Sequence, residues 1–176
     1  VLLMSSLAKR FKVGILALSS AGLIAIANFE GFEEKAYIPV PGDDPTIGFG
    51  HKDERMPLDT FISVPDALKL LGQDTKHAEE TIKKYVKVPL TQSEYDAYVC
   101  FIYNVGAGNF ASSTLLKKLN AGDYEGACNE LRRWVFSSHV KYQGLVNRRD
   151  MENLICKHGV YPKNQLSDII GNDPHS

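Results

Sequence analysis

The sequence has few of the residues that build metal clusters or disulfide-rich folds. Only three of its 176 residues are cysteine, and no Cys-x-x-Cys pair occurs, so at most one disulfide bridge can form. The histidines show no metal-ligand spacing, and we expect neither a metal nor a cofactor. A formal net charge of −1 gives no reason to expect a nucleic-acid partner. The length predicts one folded unit, with room for two lobes but not for two independent enzymes.

Charge is missing altogether from residues 13–29. Lys9, Arg10 and Lys12 precede this apolar run, and Glu30 is the first charge after it. A positive flank followed by an apolar run is typical of an export segment whose positive end stays inside. As a helix the run would be about 25 Å long, against roughly 30 Å of bilayer hydrocarbon, so its insertion should be marginal. A buried core helix is the alternative.

The segment after Glu30 predicts a different kind of structure. Prolines and glycines punctuate short β-branched and aromatic stretches as far as His51, which favours a small antiparallel sheet. Ser63, with Asp66 three residues later, is typical of a helix N-terminus. The helix predicted from there runs to about Tyr85 and is long enough to join two lobes.

Farther along the chain, helical spacing of apolar residues predicts several shorter helices. One begins at the Thr91 capping box and ends at a glycine break, and the others cover 113–119, 124–136 and 145–157. From Pro162 onward the chain turns polar, and we expect it to fray. The predicted fold class is α+β, with a small β lobe and a larger helical lobe.

Cleavage of a glycosidic bond needs one acid that is kept protonated and a second that is kept ionised. Three carboxylates are candidates for these two roles. Glu30 follows the apolar Phe29 at a predicted helix end, where partial desolvation and the helix dipole favour the neutral form. Asp43 and Asp44, in a polar turn, suit the ionised role, and Thr46 can hold a water or a sugar hydroxyl. A solvated helix end and a plain turn are the alternative interpretation of these residues.

Glu30 and the segment 46–51 resemble the Glu, Asp, Thr signature of the phage-type lysozymes, glycoside hydrolase family 24. Further segments resemble the helical lobe of that family, and these are 101–110, 113–120, 126–128, 132–134 and 144–149. The resemblance extends from Glu30 to about Lys157, with the motifs in the family's order. It implies a lysozyme-like α+β fold with a cleft between the lobes. It also implies cleavage of the β-1,4 bond between N-acetylmuramic acid and N-acetylglucosamine in peptidoglycan.

The sequence departs from the family pattern at the aspartate. The family places this residue nine positions after the glutamate, where this chain has Pro39, and the turn here is one residue longer. We favour Asp43, because Asp44 precedes Pro45 and so has an extended backbone that turns its side chain away. Asp44 stays open as the alternative acid. Because the family's aspartate activates the hydrolytic water, the resemblance implies inversion at the anomeric carbon.

The resemblance also implies residues that bind substrate. Arg148 occupies a position where the family has a basic residue near the catalytic glutamate, although a solvated helix arginine is the alternative. Asn104 and Gly106 are candidates for lining the saccharide cleft, while an ordinary helix terminator also explains the glycine. Trp134, the only tryptophan, is predicted to be a core residue rather than a sugar platform.

The apolar run and the lysozyme motifs together resemble a signal-arrest-release (SAR) endolysin of a bacteriophage. This resemblance implies an N-terminal SAR helix that the host Sec machinery exports and that tethers an inactive enzyme to the inner membrane, facing the periplasm. Activity would begin when the helix leaves the bilayer. Residues 1–40 contain no cysteine, so we expect the control to be topological. In the periplasm Cys128 and Cys156 can form a disulfide, leaving Cys100 as a thiol; two buried free thiols are the alternative.

The predicted organisation is an export segment, a catalytic domain and a polar tail. Their ranges are 1–29, 30–163 and 164–176, and the catalytic domain divides into the β lobe 30–62, the linking helix 63–86 and the helical lobe 87–163. We expect a monomer whose partners are peptidoglycan and, before release, the inner membrane through residues 13–29. A lytic transglycosylase and a catalytically inert peptidoglycan-binding module are the alternative functions.

Overall fold

The computed structural model describes residues 9–163. The predicted polar tail, 164–176, and the start of the predicted export segment, 1–8, lie outside the described residues. The described chain forms two compact units, a smaller one of residues 20–77 and 161–163 and a larger one of residues 9–19 and 78–160. The predicted boundary between an export segment ending at residue 29 and a catalytic domain beginning at residue 30 stays a prediction.

The smaller unit contains two helices and a three-stranded antiparallel sheet. The helices are α1 (Ser20–Glu30) and α2 (Val64–Asp74), and the strands, in spatial order, are β1 (Glu33–Tyr37), β2 (Thr46–Gly48) and β3 (His51–Lys52). The predicted small antiparallel sheet is therefore confirmed. The free edge of β1 is extended by an isolated antiparallel bridge between Lys35 and Phe61.

Close packing of β2 on α2 depends on a glycine. Gly48 has φ +63°, and a Cβ placed on it would lie 2.9 Å from Cβ of Ala67 in α2. The neighbouring side chains Ile47 and Phe49 are buried, and the ring of Phe49 lies 5.4 Å from that of Phe32. These contacts form the small apolar core that supports the β2–β3 turn.

The prediction of one continuous helix over 63–86 is wrong. The structure has α2 and then α3 (Lys76–Tyr85), with a break at Thr75. The Thr75 hydroxyl donates to the carbonyl of Gly72 at 3.1 Å, and back-bonding of this kind competes with the helical ladder and bends helices. The predicted start of the first helix is confirmed, since Ser63 accepts a hydrogen bond from the N–H of Asp66.

The larger unit is mainly helical. Its helices after α3 are α4 (Gln92–Val105), α5 (Ala107–Ala111), α6 (Thr114–Asn120), α7 (Tyr124–Glu130) and α8 (Gln143–His158), and a hairpin joins β4 (Phe136–Ser137) to β5 (Val140–Lys141). The buried helix α4 packs against α8. The predicted capping box of α4 is confirmed, because Thr91 and Glu94 exchange both of its hydrogen bonds.

The predicted helix over 124–136 is too long. It ends at Glu130, a 3-10 turn covers Leu131–Arg133, and the chain then enters the β4–β5 hairpin. The turn of this hairpin places Ser138 and His139 at φ 47° and 65°, a backbone that suits a tight hairpin turn and ends a helix. Pairing between two short strands thus replaces the last turn of the predicted helix.

The apolar run is also less helical than predicted. Only its second part forms α1, while Val13–Ile15 is a 3-10 turn and residues 16–19 are not helical. No helix within residues 9–163 is both long and apolar enough to cross a bilayer. Residues 9–19, which we call the N-terminal strap, belong to the larger unit, where Phe11 forms a β-bridge with Leu90.

Carboxylates of the larger unit hold the end of the N-terminal strap. Glu79 accepts a hydrogen bond from the N–H of Leu18 at 2.8 Å. Asp96 accepts from the N–H of Ser19 at 3.0 Å and also from the hydroxyl of that residue. With these donors bonded to side chains, Leu18 and Ser19 do not make the backbone hydrogen bonds of a helix continuing through the strap into α1.

The start of the strap is held by Arg10 and Glu94. Nη2 of Arg10 lies 2.7 Å from Oε1 of Glu94, and its guanidinium carbon lies 3.6 Å from the ring centre of Tyr124. Glu94 is buried and also accepts from the N–H of Thr91 in the cap of α4. One carboxylate therefore stabilises both the strap and the first turn of α4.

The structure contains the predicted disulfide. Cys128 in α7 and Cys156 in α8 are bonded, with their Cα atoms 5.8 Å apart. Cys100 is a buried free thiol, and burial raises the pKa of that thiol. The alternative of two buried free thiols at 128 and 156 is wrong.

Candidate active site

Glu30 is the last residue of α1. The helix ends there because Gly31 adopts φ +73° and donates its N–H to the carbonyl of Ala27 at 3.2 Å, the usual glycine C-terminus of a helix. A Cβ on Gly50 would lie 3.9 Å from Oε2 of Glu30, so this carboxylate lies beside the β2–β3 turn. Glu30 as a whole is an exposed residue, and partial desolvation of its carboxyl stays a prediction.

Asp43 lies in the turn between β1 and β2, within reach of a lysine. Nζ of Lys52 donates to both carboxylate oxygens, at 2.9 Å and 2.8 Å, and the N–H of Asp44 donates to Oδ1 at 3.1 Å. The hydrogen bond from Lys52, followed by that from Asp44, lowers the pKa of the Asp43 carboxyl. This favours the ionised form of the Asp43 carboxyl, the form expected of the second carboxylate.

Asp44 and Thr46 are joined through the backbone. The hydroxyl of Thr46 donates to the main-chain carbonyl of Asp44 at 3.1 Å. Thr46 is buried at the start of β2, and with its hydrogen used, its oxygen is left as an acceptor for a water or sugar hydroxyl. Asp44 is an exposed residue. Glu30, Asp43 and Thr46 all lie in the smaller unit.

His51 forms a structural contact with α2. Its Nδ1 lies 2.9 Å and 3.1 Å from the two carboxylate oxygens of Asp74, which is the last residue of α2. This contact ties β3 to α2 and so fixes the hairpin that carries Lys52.

The predicted substrate-binding residues lie in the larger unit. Asn104 is an exposed residue in the last turn of α4. Gly106, with φ +87°, ends that helix by donating its N–H to the carbonyl of Ile102 at 2.8 Å, so it does act as a helix terminator. Arg148 is only 6% exposed, and the alternative of a solvated helix arginine is wrong.

Sequence reasoning missed a buried ionic cluster on α8. Nε of Arg148 lies 3.3 Å from Oε1 of Glu152. Nε of Arg149 lies 2.8 Å from Oε2 of Glu152, but the geometry is that of an ion pair and not of a hydrogen bond. Both Arg149 and Glu152 are fully buried. The available signal was the i, i+3 and i, i+4 spacing of two arginines and one glutamate on a helix.

Burial dominates the electrostatics of this cluster. It raises the pKa of the Glu152 carboxyl, and the two neighbouring arginines oppose that effect. It lowers the pKa of Arg149, and Glu152 opposes that effect. Two guanidinium groups share one carboxylate, so their N–H groups need further acceptors. The side-chain oxygen of Asn104 is one such acceptor, at 2.9 Å from Nη2 of Arg149.

Trp134 is only partly a core residue. Its ring meets Phe101 edge-on, with centroids 5.4 Å apart, as a buried tryptophan would. The residue is half-buried, however, and it lines a depression of about 370 Å³ together with Thr114 and the exposed Phe136. The core prediction is therefore confirmed only in part.

The sequence model of the Phage lysozyme family matches residues 27–152 of this chain. Among its relatives, the endolysin of Bacillus phage B103 is 43% identical over 78% of this chain, which spans about half (53%) of that relative. The SAR-endolysin of bacteriophage PS119 is 37% identical, covering 82% of this chain and 93% of the relative.

Solved structures agree with the family match. The endolysin from Escherichia coli O157:H7 phage FAHEc1 superimposes with a TM-score of 0.78 at 37% identity, covering 87% of this chain and all of that one. The muramidase domain of SpmX from Asticaccaulis excentricus gives a TM-score of 0.73 at 29% identity, covering 81% and 98%. The fold is thus the lysozyme-like α+β fold, and the chain belongs to the phage lysozyme family of glycoside hydrolases.

Proposed function

We propose that this chain is an endolysin that hydrolyses the β-1,4 bond between N-acetylmuramic acid and N-acetylglucosamine in peptidoglycan. The observation that carries the proposal is the pair of acids in the smaller unit of a phage lysozyme fold. Glu30 lies beside Gly50 of the β2–β3 turn, and Asp43 is held ionised by Lys52. Family membership supports the reaction class.

In the proposed reaction Glu30 acts as the general acid. Its carboxyl donates a proton to the leaving glycosidic oxygen, while the ionised Asp43 activates a water for attack at the anomeric carbon. Thr46 accepts a hydrogen bond from that water or from a sugar hydroxyl. The hydrogen bonds from Lys52 and Asp44 to Asp43 fix the position of its carboxylate, and this favours Asp43 over Asp44 as the base.

Two measurements separate hydrolysis from the transglycosylase alternative. Hydrolysis adds one water to each cleaved bond, whereas a transglycosylase leaves an anhydro ring, so the product masses differ by one water.

Asp43→Asn should lower the hydrolysis rate about 10²- to 10⁴-fold, the usual contribution of a general base. Asp44→Asn is the matched control and should retain nearly the parent rate. The reverse ranking of these two variants would exchange their roles.

We further propose that residues 13–29 tether the newly exported chain to the inner membrane and that leaving the bilayer activates it. The name of the PS119 relative supports this regulation. The folded arrangement corresponds to the released form, in which the carboxylates of Glu79 and Asp96 hold Leu18 and Ser19. These polar contacts are incompatible with a continuous helix over the same residues in lipid.

The tether is tested by making the apolar run more hydrophobic where the folded enzyme does not use the side chains. Ser20 and Ala21 are exposed, so Ser20→Leu with Ala21→Leu should leave the purified enzyme active. Each leucine favours membrane insertion by roughly 0.5 kcal/mol, so the expressed variant should stay in the membrane fraction and delay lysis. Lysis at the parental time, with an unchanged membrane fraction, would contradict the tether.

A further inference from the structure

Asn104 is an exposed residue, yet one end of its carboxamide is held by a buried side chain. Nη2 of Arg149, a fully buried residue, lies 2.9 Å from Oδ1 of Asn104. A guanidinium group can only donate hydrogen bonds, so the amide atom facing it must be the oxygen. The amide nitrogen, with its two hydrogens, is consequently the opposite end of the group.

Glu152 decides how the hydrogens of Arg149 are used. Nη2 carries two hydrogens, and Oε1 of Glu152 accepts one of them at 2.8 Å, which leaves the other for Asn104. Because Glu152 is fully buried, water does not compete for this ion pair. The orientation of the Asn104 amide is therefore set inside the protein before any ligand binds.

We propose that Arg149 and Glu152 are positioning residues, which fix Asn104 so that its Nδ2 donates a hydrogen bond to an amide carbonyl of peptidoglycan. Peptidoglycan presents this acceptor in the N-acetyl groups of its sugars and in its stem peptides. A donor fixed in advance loses little conformational freedom on binding, so it contributes more to affinity. The inference rests on the proposed function, because it takes peptidoglycan as the substrate.

Asn104→Asp tests the direction of the hydrogen bond. The variant keeps an oxygen facing Arg149 and replaces the outer donor by an acceptor, so Tm should hold and kcat should change little. We expect KM for soluble peptidoglycan fragments to rise about 10- to 100-fold, because the substrate carbonyl would face a second acceptor and be left without a donor. Asn129→Asp is the matched control, since Asn129 also accepts from a cation, Lys157 at 3.3 Å, and its KM should equal the parent's. A parental KM in Asn104→Asp would overturn the proposal.

The positioning role is tested by Arg149→Lys in two backgrounds. Lysine keeps the charge but lacks the forked guanidinium that bonds Glu152 and Asn104 together. The Asn104 amide then loses its fixed orientation, and KM should rise about tenfold in the parent. With Asn104→Ala already present, there is no amide to orient, and Arg149→Lys should raise KM no further. An equal rise in both backgrounds would show a purely structural effect and overturn the role. If the lysine variant does not fold, Glu152→Gln replaces it in the same comparison.

Substrate choice identifies the carbonyl. If Asn104→Asp raises KM on both stem-bearing fragments and stem-free glycan chains, the acceptor is an N-acetyl group. A rise confined to stem-bearing fragments assigns a peptide carbonyl. A parent that releases no new reducing ends defeats the proposed function itself, whereas an active parent with an insensitive Asn104 defeats only this inference.

Discussion

Lys52 donates from Nζ to both carboxylate oxygens of Asp43, at 2.9 Å and 2.8 Å. The lysine lies in β3 and the aspartate in the turn before β2, so the β2–β3 hairpin sets the charge environment of the proposed base. The contact lowers the pKa of Asp43, which keeps the carboxylate ionised further into the acidic range.

Lys52→Met should therefore narrow the pH range of activity on its acidic side. Without the lysine the pKa of Asp43 rises towards its ordinary value, so the base is lost at a higher pH as the solution is acidified. The measurement is the rate of clearing of a cell-wall suspension across the acidic range. Lys69→Met, which breaks the exposed pair between Lys69 and Asp66, is the control. An acidic limb that stays in place in Lys52→Met would contradict the role of Asp43.

Arg10→Met should loosen the N-terminal strap. The methionine keeps apolar contact with Tyr124 but loses the ion pair to Glu94. In that pair the arginine side chain is partly exposed. Because Glu94 is buried and loses its counter-ion, we expect a loss of about 1–3 kcal/mol and a Tm lower by at least about 2–4 °C. Limited proteolysis should then cut within residues 9–19 sooner than in the parent. Equal protection of the strap in both proteins would show that this ion pair does not hold it.

Removal of the disulfide should lower stability by about 3–4 kcal/mol, because the bridge closes a loop with a sequence separation of 28 and so restricts the unfolded chain. The measurement is denaturant unfolding of Cys128→Ser with Cys156→Ser. A reducing agent should destabilise the parent and leave this double variant unchanged. In the denatured, unreduced parent, thiol titration should count one cysteine, Cys100; a count of three would contradict the bridge.

Gly48→Ala should destabilise the smaller unit. The added Cβ would lie 2.9 Å from Cβ of Ala67, at a residue with φ +63°, and strain of this kind costs about 1–3 kcal/mol. Gly72→Ala is the matched control, since Gly72 lies within α2 with nothing within 4 Å of the new Cβ. Thermal unfolding should show a lower Tm for the first variant alone. Equal Tm values would mean that β2 can move away from α2.

Local signals in the sequence predicted the elements whose causes are themselves local. The caps at Ser63 and Thr91 use side chains within three residues, and the glycine-rich pattern up to His51 marks the sheet. The prediction failed where distant groups decide the backbone. The N–H groups of Leu18 and Ser19 bond to Glu79 and Asp96 and not to the carbonyls of a longer helix, and no local pattern contains that contact.

The candidate site divides in the same way. Glu30, Asp43 and Thr46 belong to a short segment with a recognisable pattern, so the sequence suffices to nominate them. The roles of Arg149 and Glu152 depend on the packing of α8 against α4, which buries both. On the sequence alone they are ordinary charges with helical spacing, and only tertiary structure brings Arg149 to Asn104 and Glu152 to Arg149.

The most direct test of the proposed mechanism is the rate at which Glu30→Gln clears purified peptidoglycan. Glutamine keeps the size of the side chain at the end of α1 but has no acidic proton for the leaving oxygen. We expect a folded protein with an unchanged Tm, and a rate at least about 10²-fold below that of the parent. A Glu30→Gln variant that clears the suspension as fast as the parent would contradict the muramidase mechanism.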